Sequence, residues 1–335
     1  MARIALDAMG GDHAPQAPIA AALLAAAELG AQHTIQLVGQ ESVVRDELAK
    51  QLAGASPLMV EAAARFEFVD APEVILMTDK PSVAIRGKPK SSMALGLRLQ
   101  TEGKSDAFVS AGNTGAQMAA SVFILRLHEG LERPAIGTVF PTAKNPVVVL
   151  DSGANVDCSP EELVNFANLG HVYAKDILRR ENPAIGLLSI GEEAEKGNAA
   201  VKEAHQLLLK SGLNFLGNIE GRDIPMGACD RGPIDVVVCD GFTGNVLLKF
   251  YESVAPMLFG MLMKAGVTKE QVAGAASMLD YAKYGGAPLL GVKGVSIICH
   301  GKSSPEAIKN GILAGLRAHE SKMSSHIGER VQGAE

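Results

Sequence analysis

The chain has 335 residues, 47% hydrophobic and 20% charged, a balance that excludes disorder as the main state and suits one large α/β unit or two modest domains. A formal charge of −6, no Trp and four Tyr argue against a general polyanion binder and against base stacking, so no nucleic-acid partner is expected. Cys158, Cys229, Cys239 and Cys299 stand far apart without a CxxC pair, which leaves no zinc spacing and no disulfide framework.

Residues 3–7 read as a strand, entered so early that no secretory leader is expected, and a helix over 19–29 ends at Gly30. The apolar run 18–24 that opens this helix is too short to span a bilayer. A strand over 34–38 precedes a helix over 41–52, and a strand over 66–69 precedes one over 91–101. Residues 107–110 form a strand leading to a helix over 117–127; residues 135–140 and 147–150 are β-rich and suited to pair around the 141–146 turn. Ser159-Pro160-Glu161-Glu162 carries an N-cap, a Pro at the first helical position and acids in the first turn, opening a helix to about residue 179. Strands follow over 185–190, 215–219 and 236–239, with helices after the first and third; 295–299 is a last strand, and Ser304 opens the closing helix.

Strands alternating with helices predict an α/β protein with a mostly parallel sheet covered on both faces. The expected organisation is one catalytic unit over residues 1–320, its cleft formed by strand-to-helix turns from both halves, with a frayed tail over 321–335. In such sheets ligands bind beyond the carboxyl ends of the strands. Five turns there share one composition, apolar strand then Gly, Asn, Ser, Thr or acid: 7–13, 110–116, 151–155, 189–198 and 240–245. Small residues let a ligand approach the backbone, and helix N-termini offer amide donors with positive partial charge, so an anion fits without a basic protein. Each turn alone is an ordinary α/β connection; five together point to a polar site.

No GxGxxG with a following acid, Walker lysine or GxSxG elbow is present, which disfavours dinucleotide, ATP and serine-nucleophile chemistry. No metal and no cofactor is expected. His13 and His300 stand at turns, where a histidine commonly hydrogen-bonds structurally. Lys196, in a Gly-rich polar turn, is the cation best placed to hold phosphate or polarise a carbonyl. Asp7 and Asp240 each end a strand, where a carboxylate can cap backbone amides.

The strings IALDAMGGDHAP from Ile4, SAGNTGA from Ser110, LDSGAN from Leu150, SIGEEAEKGN from Ser189, NIEGRD from Asn218, CDGFTGNVLLK from Cys239 and YGGAPLLGVKGVSIICHGKS from Tyr284 are long and unusual. Together, in this order, they resemble the phosphate acyltransferase family of bacterial phospholipid synthesis. The resemblance implies a three-layer α/β/α sandwich similar to phosphate acetyltransferases and isocitrate dehydrogenases, usually a homodimer. It implies transfer of a fatty acyl group from acyl-carrier-protein thioester to inorganic phosphate, with the product passing to a membrane glycerol-3-phosphate acyltransferase.

On that reading phosphate lies among backbone amides of Gly10, Gly11 and the Gly112-Asn113-Thr114-Gly115 turn, with His13, Asn155 and His300 as further binding residues. Lys196 and Asn245 orient phosphate or stabilise the thioester oxyanion, and Asp7 and Asp240 hold these groups in place. An acidic carrier protein calls for a local basic patch, with Arg222, Arg231, Lys283, Lys293 and Lys302 as candidates.

Residues 246–265, from Val246 to Ala265, place Leu247, Tyr251, Val254, Leu258 and Leu262 at helical spacing, and Pro256 is expected to kink or split the helix. This surface suits core or dimer packing, a fatty-chain groove, or a peripheral contact of a cytoplasmic protein with the membrane's inner face. Two further readings stand: a phosphotransacetylase acting on acyl-coenzyme A, and a non-catalytic membrane-docking scaffold.

Overall fold

The computed structural model describes residues 1–278 and 285–333; Lys283 and Tyr284 lie outside them. Along the chain come β1 (Arg3–Asp7), α1 (Gln16–Glu28), β2 (Thr34–Gly39), α2 (Glu41–Leu52), α3 (Pro57–Ala63), β3 (Glu67–Asp70), α4 (Pro81–Gly87), α5 (Ser92–Thr101), β4 (Ala107–Ser110) and α6 (Thr114–Ile124). The middle of the chain forms β5 (Ala135–Ile136), β6 (Thr138–Phe140), β7 (Val147–Leu150), α7 (Pro160–Asp176), β8 (Ile185–Leu188), α8 (Ala199–Leu208), β9 (Phe215–Ile219), α9 (Asp223–Met226), β10 (Ala228–Cys229), β11 (Gly232–Pro233), β12 (Val236–Val238), α10 (Gly241–Lys264) and α11 (Lys269–Met278). Last come β13 (Ala287–Leu290), β14 (Ser296–Ile298), α12 (Pro305–Glu320) and α13 (Met323–Gln332).

The chain separates into two compact units, where the sequence reads as a single catalytic unit. Unit 1 joins Met1–Glu129 to the C-terminal stretch ending at Gly328, and unit 2 runs onward from Gly130 with the last residues from Glu329.

In unit 1 the strands lie in the order β3-β2-β1-β4-β14-β13. All neighbours are parallel except β13 and β14. Every residue of β2 and β4 is buried. Because successive side chains on a strand point to opposite faces, continuous burial means that helices cover both faces of this sheet. Helices α1 and α12 pack on each other, while α5 packs on β1, β2 and β4. Gly96 of α5 makes this contact close: a Cβ there would fall 2.4 Å from the Phe108 ring.

In unit 2 the order is β6-β7-β12-β8-β9, parallel except for the β6–β7 pair expected around the 141–146 turn. The fully buried β7 and β12 again show a sheet covered on both faces. Helix α7 begins with the Ser159 cap anticipated from sequence, completed by Glu162 reaching back to the cap's amide. Phe140, Val147, Val149, Ile219, Ile234 and Val237 form a core against which Leu247, Leu248 and Tyr251 of α10 pack.

Three expectations need correction. The tail is helical: α13 buries Met323, Ile327 and Gly328, and Ser324 Oγ donates to Val292 O at 3.0 Å. Apolar residues at helical spacing, not distance from the terminus, decide its order. Pro256 does not split α10, which continues through it to Lys264. A proline removes a single ladder hydrogen bond, and a long helix keeps the rest. The core reading of the 246–265 face holds only for its first turns, where Leu247 and Tyr251 pack on the unit 2 core. Further along the same stripe Leu258 and Leu262 are exposed, as are Val246, Phe250, Met257 and Met261 beside it.

Candidate active site

In unit 1, three turns leave the carboxyl ends of the neighbouring strands β1, β4 and β14. Asp7 is buried where β1 ends, and Ser110 Oγ donates to its Oδ2 at 2.7 Å. Met9 N donates to its Oδ1 at 3.1 Å. Ser110 Oγ in turn accepts from Gly112 N at 2.9 Å, so one hydroxyl fastens the second turn to the first. Gly10 makes the closeness possible, since a Cβ there would fall 2.6 Å from Asp7 Oδ2 and 2.9 Å from Gly112 N. The third turn joins through Asp12 N, which donates to Gly301 O at 2.8 Å, while Gly11, at φ +107°, faces the same carbonyl.

This arrangement sorts the residues proposed from sequence. Gly10, Gly11 and Gly112 come together; Asp7 shapes their backbone. Asn113 caps α6 through Ala116 N at 3.0 Å, and its Nδ2 donates to Met77 O and Asp79 O, both at 3.1 Å. Its side chain is therefore engaged in holding the 76–79 loop. Thr114 and Gly115 open α6, where first-turn amides have no intrahelical acceptor. His13 and His300 are exposed; His300 Nδ1 accepts from Lys302 N at 3.2 Å.

Unit 2 repeats the device at β7. Asp151 is fully buried and accepts from Ile136 N at 2.9 Å, Ala154 N at 3.1 Å, and Asn155 N and Nδ2 at 2.6 and 2.9 Å. Asn155 Nδ2 also donates to Pro134 O at 2.8 Å, so this side chain braces the turn. Helix α10 abuts that turn through two glycines: a Cβ at Gly244 would lie on Asp151 O, and one at Gly241 would be 2.5 Å from Asn155 O. Asp240 caps α10, accepting from Thr243 N at 2.7 Å and Thr243 Oγ1 at 2.9 Å. Asn245, exposed on the first turn, lies against Gly153.

Lys196 is exposed in the loop after β8. Its amide donates to Glu193 O at 3.0 Å, and Asn218 Nδ2 from β9 donates to the same carbonyl at 2.8 Å. Asn218 Oδ1 pairs with His205 Nδ1 at 2.9 Å. Two of the proposed docking cations are tied to this loop: Arg222 and Arg231 both pair with Glu192, at 3.1 and 3.3 Å. Asp151, Ser110 and Asn218 were not singled out from sequence. The signal for Asp151 was an acid-Ser-Gly turn closing an apolar strand, the pattern already noted at Asp7 and Asp240.

Burial pushes the Asp7 carboxyl above its ordinary value of 3.8, against the opposing effect of hydrogen bonds from Ser92, Ser110, Met9 N and Gly10 N. A carboxyl raised in the folded state binds more protons there than in the unfolded chain. Its stabilising contribution is full below pH 3.8 and is lost as pH rises through the raised value. Asp7→Asn removes that titration and turns an N–H2 toward a donor. It should cost about 1–3 kcal/mol at neutral pH and flatten the stability loss between acidic and neutral pH. Urea unfolding across that range checks it; a variant slope equal to wild type contradicts the assignment.

A family model described as "Fatty acid synthesis protein" matches residues 2–326. Phosphate acyltransferases of Pelotomaculum thermopropionicum and Desulforamulus reducens are each 45% identical over 99% of this chain, covering 96% and 98% of their own lengths. Among solved structures, a phosphotransacetylase from Streptococcus pyogenes is similar at TM-score 0.64 and 18% identity, covering 95% of this chain and 94% of that one. The EutD phosphotransacetylase of Staphylococcus aureus gives TM-score 0.63 at 15% identity, covering 96% and 94%. These two establish a shared α/β fold, as the alternating elements led one to expect. With the full-length match to its curated relatives, the chain belongs to the fatty acid synthesis protein family, among the phosphate acyltransferases.

Proposed function

We propose that this enzyme transfers a fatty acyl group from an acyl-carrier-protein thioester to inorganic phosphate. The observation that carries the reading is the 45% identity to phosphate acyltransferases along 99% of the chain. The glycine-lined turns at the strand ends supply what the chemistry needs, amide donors that a small oxyanion can approach. A phosphate oxygen forms a bond to the thioester carbon while the C–S bond breaks. The electron pair of that bond leaves on sulfur, and the proton carried by hydrogen phosphate ends on the departing thiol. Phosphate is already nucleophilic at neutral pH, so position and stabilisation of the carbonyl oxyanion are the protein's task.

In this assignment the amides of Gly11 and residues 113–115 hold phosphate in unit 1, with His13 and His300 near the same strand ends; Gly10, whose own amide turns to Asp7, serves by leaving room between the turns. Lys196 and Asn245, on turns of unit 2, are assigned to the oxyanion of the thioester carbonyl; Asp7 in unit 1 and Asp151 and Asp240 in unit 2 are positioning residues. Lys196→Ala should lower kcat/KM by about 10²–10³ while the melting temperature stays at the wild-type value. The assay is phosphate-dependent release of carrier-protein thiol, run beside acetyl-coenzyme A. Near-wild-type turnover of the variant refutes the lysine's role, and preference for acetyl-coenzyme A refutes the substrate.

The enzyme is further proposed to work in the cytoplasm as a homodimer, passing its acyl phosphate to a membrane glycerol-3-phosphate acyltransferase. Helix α10 is long and apolar enough to cross a bilayer by length and composition, and beyond its first turns its large apolar side chains Met257, Leu258, Met261 and Leu262 are exposed. Its Asp240 cap and the Tyr251 hydroxyl on Pro141 O fix its first turns to unit 2, which favours lying on a surface over insertion. Residues 246–265 then rest on the membrane's inner face. Wild type should float with anionic vesicles more than the Leu258→Glu, Leu262→Glu variant does. Equal recovery rejects lipid and leaves a second copy to cover this face.

A further inference from the structure

A cavity of about 470 Å³ opens within unit 2, at the carboxyl ends of β7, β8 and β12. Its walls come from the opening turns of three helices: Leu163 of α7, Ala200 and Val201 of α8, and Phe242 and Thr243 of α10, with the 156–158 turn between them. Three features define what it can hold.

The first is charge. The ionisable groups on the wall are Asp157, Asp240 and the Cys158 thiol. Burial and the nearby carboxylates push Cys158 up to about 12, which keeps it neutral at physiological pH. An anion placed here would face two carboxylates without a cation in the wall, so phosphate is disfavoured.

The second is hydrogen bonding. Asn198 accepts from Val201 N with Oδ1 at 2.9 Å as the cap of α8, which leaves Nδ2 as the donor half of its amide. Thr243 Oγ1 gives its one proton to Asp240 Oδ2 at 2.9 Å, so toward a ligand it can only accept. One donor and one acceptor on the same wall match the carbonyl and N–H of an amide. The third is apolar surface: Val156 and Phe242 are 65% and 64% exposed at the rim, with Leu163, Ala200 and Val201 beside them.

A bare fatty chain would strand the polar groups. A neutral arm of amides separated by short aliphatic segments satisfies all three features. We infer that this cavity binds the pantetheine arm of the thioester donor, Asn198 Nδ2 donating to an arm carbonyl and Thr243 Oγ1 accepting from an arm N–H. The inference rests on the acyl-transfer reading and adds where the donor's arm lies. Carrier protein and coenzyme A share this arm, so the cavity selects thioesters bearing it without distinguishing the two.

The test compares octanoyl-pantetheine with S-ethyl thiooctanoate, which lacks both amides, at saturating phosphate. Wild type should favour the pantetheine thioester at least tenfold in kcat/KM. Asn198→Asp keeps the α8 cap but removes the donor, and Ala200→Phe fills the space. Each should bring the two thioesters within about twofold of one another, leave S-ethyl turnover and the phosphate KM unchanged, and melt near wild type. The preference should fall equally for octanoyl-carrier protein and octanoyl-coenzyme A measured against S-ethyl thiooctanoate. An undiminished preference in both variants overturns the assignment. If wild type acylates phosphate from none of these donors, the acyl-transfer reading fails instead. The cavity is then judged by equilibrium binding of pantetheine alone, which Ala200→Phe should abolish; no binding to wild type, or equal binding to the variant, overturns it.

Discussion

Three aspartates at strand ends govern the candidate site, each answering to backbone amides of the turn that follows it. Asp7 and Asp151 are buried, and among the described residues no cation contributes to setting their ionisation. Burying a carboxylate is costly unless hydrogen bonds replace its water. For Asp7 they come from Met9 N in its own turn and from Ser110 at the end of β4; for Asp151 they come from Ala154 and Asn155 in its own turn and from Ile136 in β5. The arrangement works in both directions, because the carboxylate is tolerable only if the turn keeps its shape, and the turn keeps its shape because the carboxylate gathers its amides. Asp240 does the same more openly, as the cap of α10.

Glycine placement follows from that constraint. A turn drawn tight around a carboxylate leaves no room for a side chain on its inner side, as at Gly10 against Asp7 and at Gly241 against Asp151 Oδ2. Gly244, where a Cβ would fall on the Asp151 carbonyl, brings the start of α10 down onto the Asp151 turn. Motifs such as DAMGGD and CDGFTGN are thus records of close backbone approach. The first turn of α6 follows directly on these glycines, and its opening amides have no intrahelical acceptor.

Much of this was legible in the sequence. The bounds of β1, α2, β4 and β7 agree with those read from hydrophobic runs, and the Ser159 capping box was visible as a string. Other features depend on tertiary packing. The expected start of α6 at residue 117 overlooked Asn113, whose cap begins the helix at Thr114. Asp151 was noted only as part of a turn, because four donors converging on one side chain depend on Ile136, distant along the chain. The unit 2 cavity was illegible for the same reason, since its donor and acceptor stand on different helices. Asn113 and Asn155 looked like ligands because polar residues in glycine turns do; their amides prove to be occupied by backbone carbonyls and a carboxylate.

The aspartate-shaped turns of unit 1 present amides to a small oxyanion. Proton–nitrogen correlation spectra of glycine-labelled protein, titrated with inorganic phosphate, test it most directly. Saturable shifts at Gly10, Gly11 and Gly115, reversed by no equal concentration of chloride and weakened in Asp7→Asn, are expected. Shifts absent at those three glycines while phosphate still supports turnover would contradict the account.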